Sequence, residues 1–195
     1  MTTPRSWKDA DGAAAVREFL RQPPPRRAAV RALIKELASP HSFDLRCAAD
    51  LARRVSAREP GILQRYTSVL IDLITELSED QWQSRGYLLL AAALNVSTPA
   101  EHHRLTLLAR SLVQDKRNAV RAMALEALAT LALASPSLRA EVIPLLERVR
   151  REGTCAMQSR ARRMLPLLLA AEVDAQDQAR TPYNQDRFQN RWEEE

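Results

Sequence analysis

The chain has 195 residues, room for one ordinary domain or one short repeat array, and is 46% hydrophobic but only 5% aromatic. Four glycines are too few for a β-rich fold with many tight turns or for Gly-rich phosphate loops, and no apolar run reaches the ~18 residues that span a bilayer. The formal charge of +5 is unevenly spread: residues 1–171 carry +9 and residues 172–195 carry −4. Arg supplies 26 of the 29 basic residues; a GC-rich coding sequence and a basic surface would both give that bias. The opening MTTPRSWKDADG has no apolar stretch behind a basic start, and Cys47 and Cys155 make no disulfide framework, so a cytoplasmic location is expected.

The first element is a helix within 9–21, with Ala15, Val16, Phe19 and Leu20 on one face. It is expected to cover the exposed end of the next helical unit, so residues 1–23 read as an N-terminal segment with a capping helix. Pro23, Pro24 and Pro25 end it.

Four similar units come after it, 24–57, 60–96, 99–134 and 136–171. Pro24, Pro60, Pro99 and Pro136 are spaced by 36, 39 and 37 residues. Six, nine, ten and thirteen residues after each proline stands an apolar residue, the last column being Leu37, Leu73, Leu112 and Val149. Those offsets share one face of a 3.6-residue helix. A second marker, Arg46, Arg85, Arg121 and Arg160, is spaced by 39, 36 and 39 and opens a second apolar run in each unit. Short polar linkers between the runs imply antiparallel helix pairs. One such pair cannot bury its apolar faces alone, and equal spacing favours side-by-side stacking over a closed bundle.

The units resemble HEAT repeats of the armadillo/HEAT superfamily, as in a small bacterial-type HEAT-repeat protein. Pro144 in EVIPLLERV sits at the mid-helix proline position of that family, and Asp115 precedes Val120-Arg121 with the family's spacing. The resemblance implies an all-α fold, a HEAT-like α-α superhelix (a right-handed solenoid of antiparallel helix pairs). It also implies an inter-repeat ladder through Arg46, Arg85, Asp115, Arg121 and Arg160, and second helices that line a concave face. Pro40 and Thr154 stand where the acidic partner would precede Arg46 and Arg160, so the Asp column is partial.

Chemistry-bearing groups are sparse. His102 and His103 are adjacent and point about 100° apart on a helix, so they do not converge on a metal. Glu79 and Asp80 read as helix N-terminal charges, and Trp82 as a staple at the helix start. No HExxH, CxxC, GxSxG, P-loop or GxGxxG is present. The expectation is therefore no enzyme, no cofactor and no metal, and no small-molecule substrate or membrane. Arg53, Arg54, Arg162 and Arg163 lie on the second helices and are the candidate partner-binding residues. The expected role is a scaffold that binds a protein or peptide on the second-helix face; the alternative is a nucleic-acid-binding protein that uses the basic body. The middle second helices, GYLLLAAAL and AMALEALATLA, are apolar all round, which fits either deep burial or an open hydrophobic groove. Residues 172–195 read as an acidic polar tail in which Phe188 and Trp192 share a helical face. That tail could be solvated, cover the last unit, or serve as a partner peptide.

Overall fold

A computed structural model describes residues 12–22, 26–38 and 41–180. The described chain is all-α: α1 (Gly12–Arg21), α2 (Arg27–Leu37), α3 (Ser42–Arg58), α4 (Thr67–Glu76), α5 (Trp82–Ala93), α6 (Pro99–Leu112), α7 (Asn118–Leu133), α8 (Pro136–Glu152) and α9 (Cys155–Arg180). No strand occurs among the described residues.

Local chemistry starts the helices where proline and a hydroxyl combine. At α6 the Thr98 side chain accepts from the Glu101 amide at 3.2 Å, and the Glu101 carboxylate accepts from the Thr98 amide at 3.2 Å. Pro99 follows at the first helical position, where its missing N–H costs no bond. At α8 Pro136 again takes the first helical position and the Ser135 hydroxyl accepts from the Leu138 amide at 3.4 Å, with no reciprocal carboxylate bond. Pro60 departs from it. It lies in a turn, Gly61 follows with φ of 86°, and a short 3-10 segment (Gln64–Tyr66) delays α4 until Thr67.

The delay moves the buried stripe. In α2, α6 and α8 the expected columns face inward, with Val30, Leu33, Leu37, Leu105, Ala109, Leu112, Val142, Leu146 and Val149 all buried. In α4 the buried residues are Thr67, Leu70, Ile71 and Ile74, one position later than the proline register gives, and Val69 is 42% exposed. Leu108 and Leu145 are half-buried at the margin of the core.

The helices pack in a regular order. α1 lies against α3, α3 against α5, α5 against α7 and α7 against α9. Each of α2, α4, α6 and α8 packs on the next helix in the chain, and α4 also touches α6. The second helices thus form one side-by-side row with the first helices laid on it. At its centre, Leu88–Ala93 of α5 and most of α7 from Val120 to Ala132 are buried. Of the two readings of these apolar helices, the structure selects burial; they form no open groove. Gly86 allows the close approach: a Cβ there would stand 2.3 Å from the Met123 Cε of α7.

Polar contacts tie helices within and between pairs. Arg26 before α2 meets Glu59 after α3 at 2.8 Å; between pairs, Ser68 donates to Glu101 at 3.0 Å, Arg104 meets Asp72 at 2.6 Å, and Arg110 pairs with Glu141. The most enclosed link is Asn95, 1% exposed. Its amide donates to Ser56 Oγ at 2.7 Å and to the Ala91 carbonyl at 2.6 Å, while its Oδ1 accepts from the Leu63 amide at 2.7 Å. The Thr67 hydroxyl donates to the Asn95 carbonyl at 2.8 Å. One amide side chain therefore joins the end of α3, the irregular turn before α4, and the end of α5.

α9 runs on through 172–180, the first residues of the expected acidic polar tail. Phe188 and Trp192 lie outside the described residues.

Candidate functional site at the face of the second helices

The expected site residues lie on the helix row, and the structure separates them by role. Arg85 donates to the Leu77 carbonyl and Arg121 Nε to the Val113 carbonyl at 3.2 Å, each eight residues back. These two arginines close their own hairpins by occupying carbonyls at the end of the preceding helix. Asp115 accepts from the Arg117 amide at 2.7 Å within its own turn. The ladder expected from the resemblance differs here, because the two-residue reach of Asp115 and the backward reach of Arg85 and Arg121 are satisfied locally. Arg46 and Arg160 do cross between units: Arg46 donates to Gln83 Oε1 at 3.2 Å, and Arg160 meets Glu126 at 2.6 Å.

Three of the four candidate partner-binding arginines already have partners. Asp50 of α3 accepts from Arg53 and from Arg54, each at 2.6 Å, and the Arg53 guanidinium stacks 5.3 Å from the Tyr87 ring centre on α5. Arg163 pairs with Glu126 of α7, which also holds Arg160. Asp50 thus serves two arginines of its own helix, and Glu126 serves two on the neighbouring α9. Arg162 is exposed with no ion-pair partner among the described residues. Arginines counted along the chain look free because the acids that hold them sit three or four residues away or on the neighbouring helix.

A recess opens at the N-terminal ends of α3 and α5. A shallow cleft of ≈ 270 Å³ is lined by Phe43, Arg46, Asp80, Gln81, Gln83 and Ser84. Phe43 is 56% exposed in the first turn of α3. The Arg46 guanidinium, one turn on, lies 5.4 Å from its ring centre and is held from the other side by Gln83. Asp80 stays ionised: the Ser78 hydroxyl donates to its carboxylate and, with a backbone bond, holds the group below the ordinary carboxylate range. Next to it, Glu79 pairs with Lys116 at 2.6 Å, which likewise lowers its pKa. The cleft thus offers an aromatic ring, a guanidinium, two amide side chains and a carboxylate. It can accept an apolar side chain against Phe43 with a hydrogen-bonding group beside it.

Phe43 and Gln83 were not singled out from sequence. The signal lay in spacing, since Phe43 is three residues before the recurring Arg46 and Gln83 is two before Arg85. Elsewhere, His102 Nε2 lies 3.0 Å from the Leu131 carbonyl. No group of three metal-ligating side chains occurs among the described residues, and none of their helices is long and apolar enough to cross a membrane. No protein-family model matches the chain, and neither a curated protein nor a solved structure matches it.

Proposed function

We propose that the chain is a HEAT-like α-solenoid that acts as a non-enzymatic scaffold and binds a protein or peptide segment on its second-helix face. The side-by-side row α1–α3–α5–α7–α9 supports the solenoid reading. The observation that carries the binding role is the cleft at Phe43 and Arg46, where an exposed aromatic ring sits beside a guanidinium pinned by stacking and by Gln83. A pre-ordered aromatic and arginine are the side chains that carry binding energy in protein interfaces. The partner segment that fits is short, with one apolar or aromatic anchor against Phe43 and an acidic group next to Arg46. Peptides of that chemistry, selected from a displayed random library and then titrated, are expected to bind wild type and to lose at least about tenfold in affinity to Phe43→Ala and to Arg46→Glu. Equal binding to wild type and both variants would exclude the cleft. The nucleic-acid reading has less support, because Arg53, Arg54 and Arg163 are each held by a carboxylate. Steeply salt-dependent binding of DNA or RNA, weakened by Arg162→Ala, would reinstate it.

A further inference from the structure

The start of α1 stands close to the cleft at Phe43. A Cβ on Gly12, the first residue of α1, would lie 3.0 Å from Arg54 Cζ of α3. Near the other end of α1, the Leu20 carbonyl accepts at 3.1 Å from Arg26, which also holds Glu59 just after α3. The start and end of α1 thus meet α3 in chain order, so the two helices run in the same sense. The N-terminal end of α1 therefore faces the N-terminal half of α3, the half that carries the cleft. Phe43 stands eleven residues before Arg54, about 16 Å along the axis and only about 20° around it. One stripe of α3 leads from Gly12 to the exposed ring.

Residues 1–11, MTTPRSWKDAD, lie outside the described residues, and their sequence holds the chemistry that the cleft takes. Trp7 is an aromatic anchor, and Asp9 is an acid on the same side of an extended chain. The five-residue step from Trp7 to Gly12 spans up to about 17 Å, which matches the path from Arg54 to Phe43. With Trp7 on Phe43, Asp9 comes level with Arg46, which lies one turn from Phe43 toward Arg54. Arg5 shares the side of Trp7 and Asp9, and the ionised Asp80 lines the cleft across from Phe43. The order Arg5, Trp7, Asp9 thus complements Asp80, Phe43, Arg46. The other aromatic and acidic segment, 188–195, follows α9, which is three helices along the row and about 30 Å from α3. We propose that residues 5–11 are a built-in ligand of the Phe43 cleft, with Trp7 on the ring and Asp9 on Arg46, which an external peptide must displace. This rests on the reading of the cleft as a peptide site. A tether this short gives an effective concentration near about 1 mM, so a contact too weak to join separate molecules still fills the cleft.

Anisotropy of a fluorescein-labelled peptide of residues 5–11, titrated with the full chain, tests it. Trp7→Ala is expected to bind the peptide about 3- to 10-fold more tightly than wild type, because its cleft is unoccupied. Trp7→Ala/Phe43→Ala is expected to lose that binding. Without peptide, the emission that Trp7→Phe removes is expected to be shielded from acrylamide in wild type and freely quenched in Phe43→Ala. Arg46→Glu is expected to expose Trp7 in the same way, and Arg46→Glu/Asp9→Arg to shield it again. Equal peptide affinity in wild type and Trp7→Ala, or equal quenching of Trp7 in wild type and Phe43→Ala, would overturn the proposal. If library-selected peptides still lost affinity to Phe43→Ala, the cleft would remain a peptide site for other chains alone. A gain in affinity from Trp192→Ala and not from Trp7→Ala would assign the cleft to the C-terminal tail instead. Shielding that grows with chain concentration from about 1 to 100 µM would assign it to a second copy, against an intramolecular contact.

Discussion

Replacing Asn95 by Leu keeps the branched shape and heavy-atom count and removes every polar contact of a side chain that is 1% exposed. Two donors and acceptors are left without partners in the protein: the Leu63 amide, which gave to Oδ1 at 2.7 Å, and the Ser56 hydroxyl, which received from Nδ2 at 2.7 Å. The Ala91 carbonyl, in the last turn of α5, loses its bond from Nδ2 as well, so the cost of those two is a lower bound. An unsatisfied buried donor or acceptor costs about 1–3 kcal/mol, so two give about 2–6 kcal/mol, offset by about 1 kcal/mol from the added apolar burial. A net loss of about 3 kcal/mol lowers the melting temperature by roughly 6–12 °C in a chain of this size. Urea unfolding followed by far-UV circular dichroism reads the loss as a lower midpoint at unchanged slope. The Ser56→Ala background sharpens the test. There the hydroxyl is absent, so Asn95→Leu should cost about 1–2 kcal/mol less than in wild type, a direct measure of coupling. A loss below about 1 kcal/mol in the wild-type background, or strict additivity with Ser56→Ala, would show that the polar knot joining α3, the turn and α5 contributes nothing beyond packing.

The shifted register of α4 predicts that Leu70→Ala, fully buried, costs about 2–5 kcal/mol, whereas Val69→Ala, 42% exposed, costs under about 1 kcal/mol; chemical denaturation of the pair decides between the observed stripe and the proline register. For the same reason an aspartate at Leu105 should unfold the array while one at half-buried Leu108 should lower its stability without abolishing a cooperative melt. Glu101 is buried, which raises its pKa, but hydrogen bonds from Ser97, Ser68 and the Thr98 amide outweigh that and leave it lowered. A pKa that is lower folded than unfolded stabilises above the unfolded value near about 4.3, and that stability is lost as pH falls through the folded value. Thermal melts at pH 7 and pH 3 should therefore show a smaller acid-induced drop for Glu101→Gln than for wild type. Gly86→Val should destabilise by about 1–3 kcal/mol, because the added carbons meet the enclosed Met123 side chain; a neutral result in a denaturation series would mean that α5 and α7 can move apart at little cost.

The helical character and the rough limits of the helices are legible in the residues themselves. Apolar residues recurring every three or four positions can be buried on only one side of a helix, and Thr98-Pro99 and Ser135-Pro136 start helices by bonds within four residues. Such features depend on neighbours in the chain, so no knowledge of the fold is needed to read them. The start of α4 could not be read this way: Pro60 looks like the other unit prolines, but Gly61 turns the backbone and donates its amide to the Leu94 carbonyl of α5, a partner 33 residues away. The fate of the arginines was also decided in three dimensions. Arg163 and Glu126 are 37 residues apart and meet only because α7 and α9 lie side by side, and whether an arginine is free or spent depends on where that acid arrives. Burial of α5 and α7 from all sides, and exposure of the last apolar face on α9, follow from each helix's place in the row, since a helix between two neighbours is covered and a helix at the end is not.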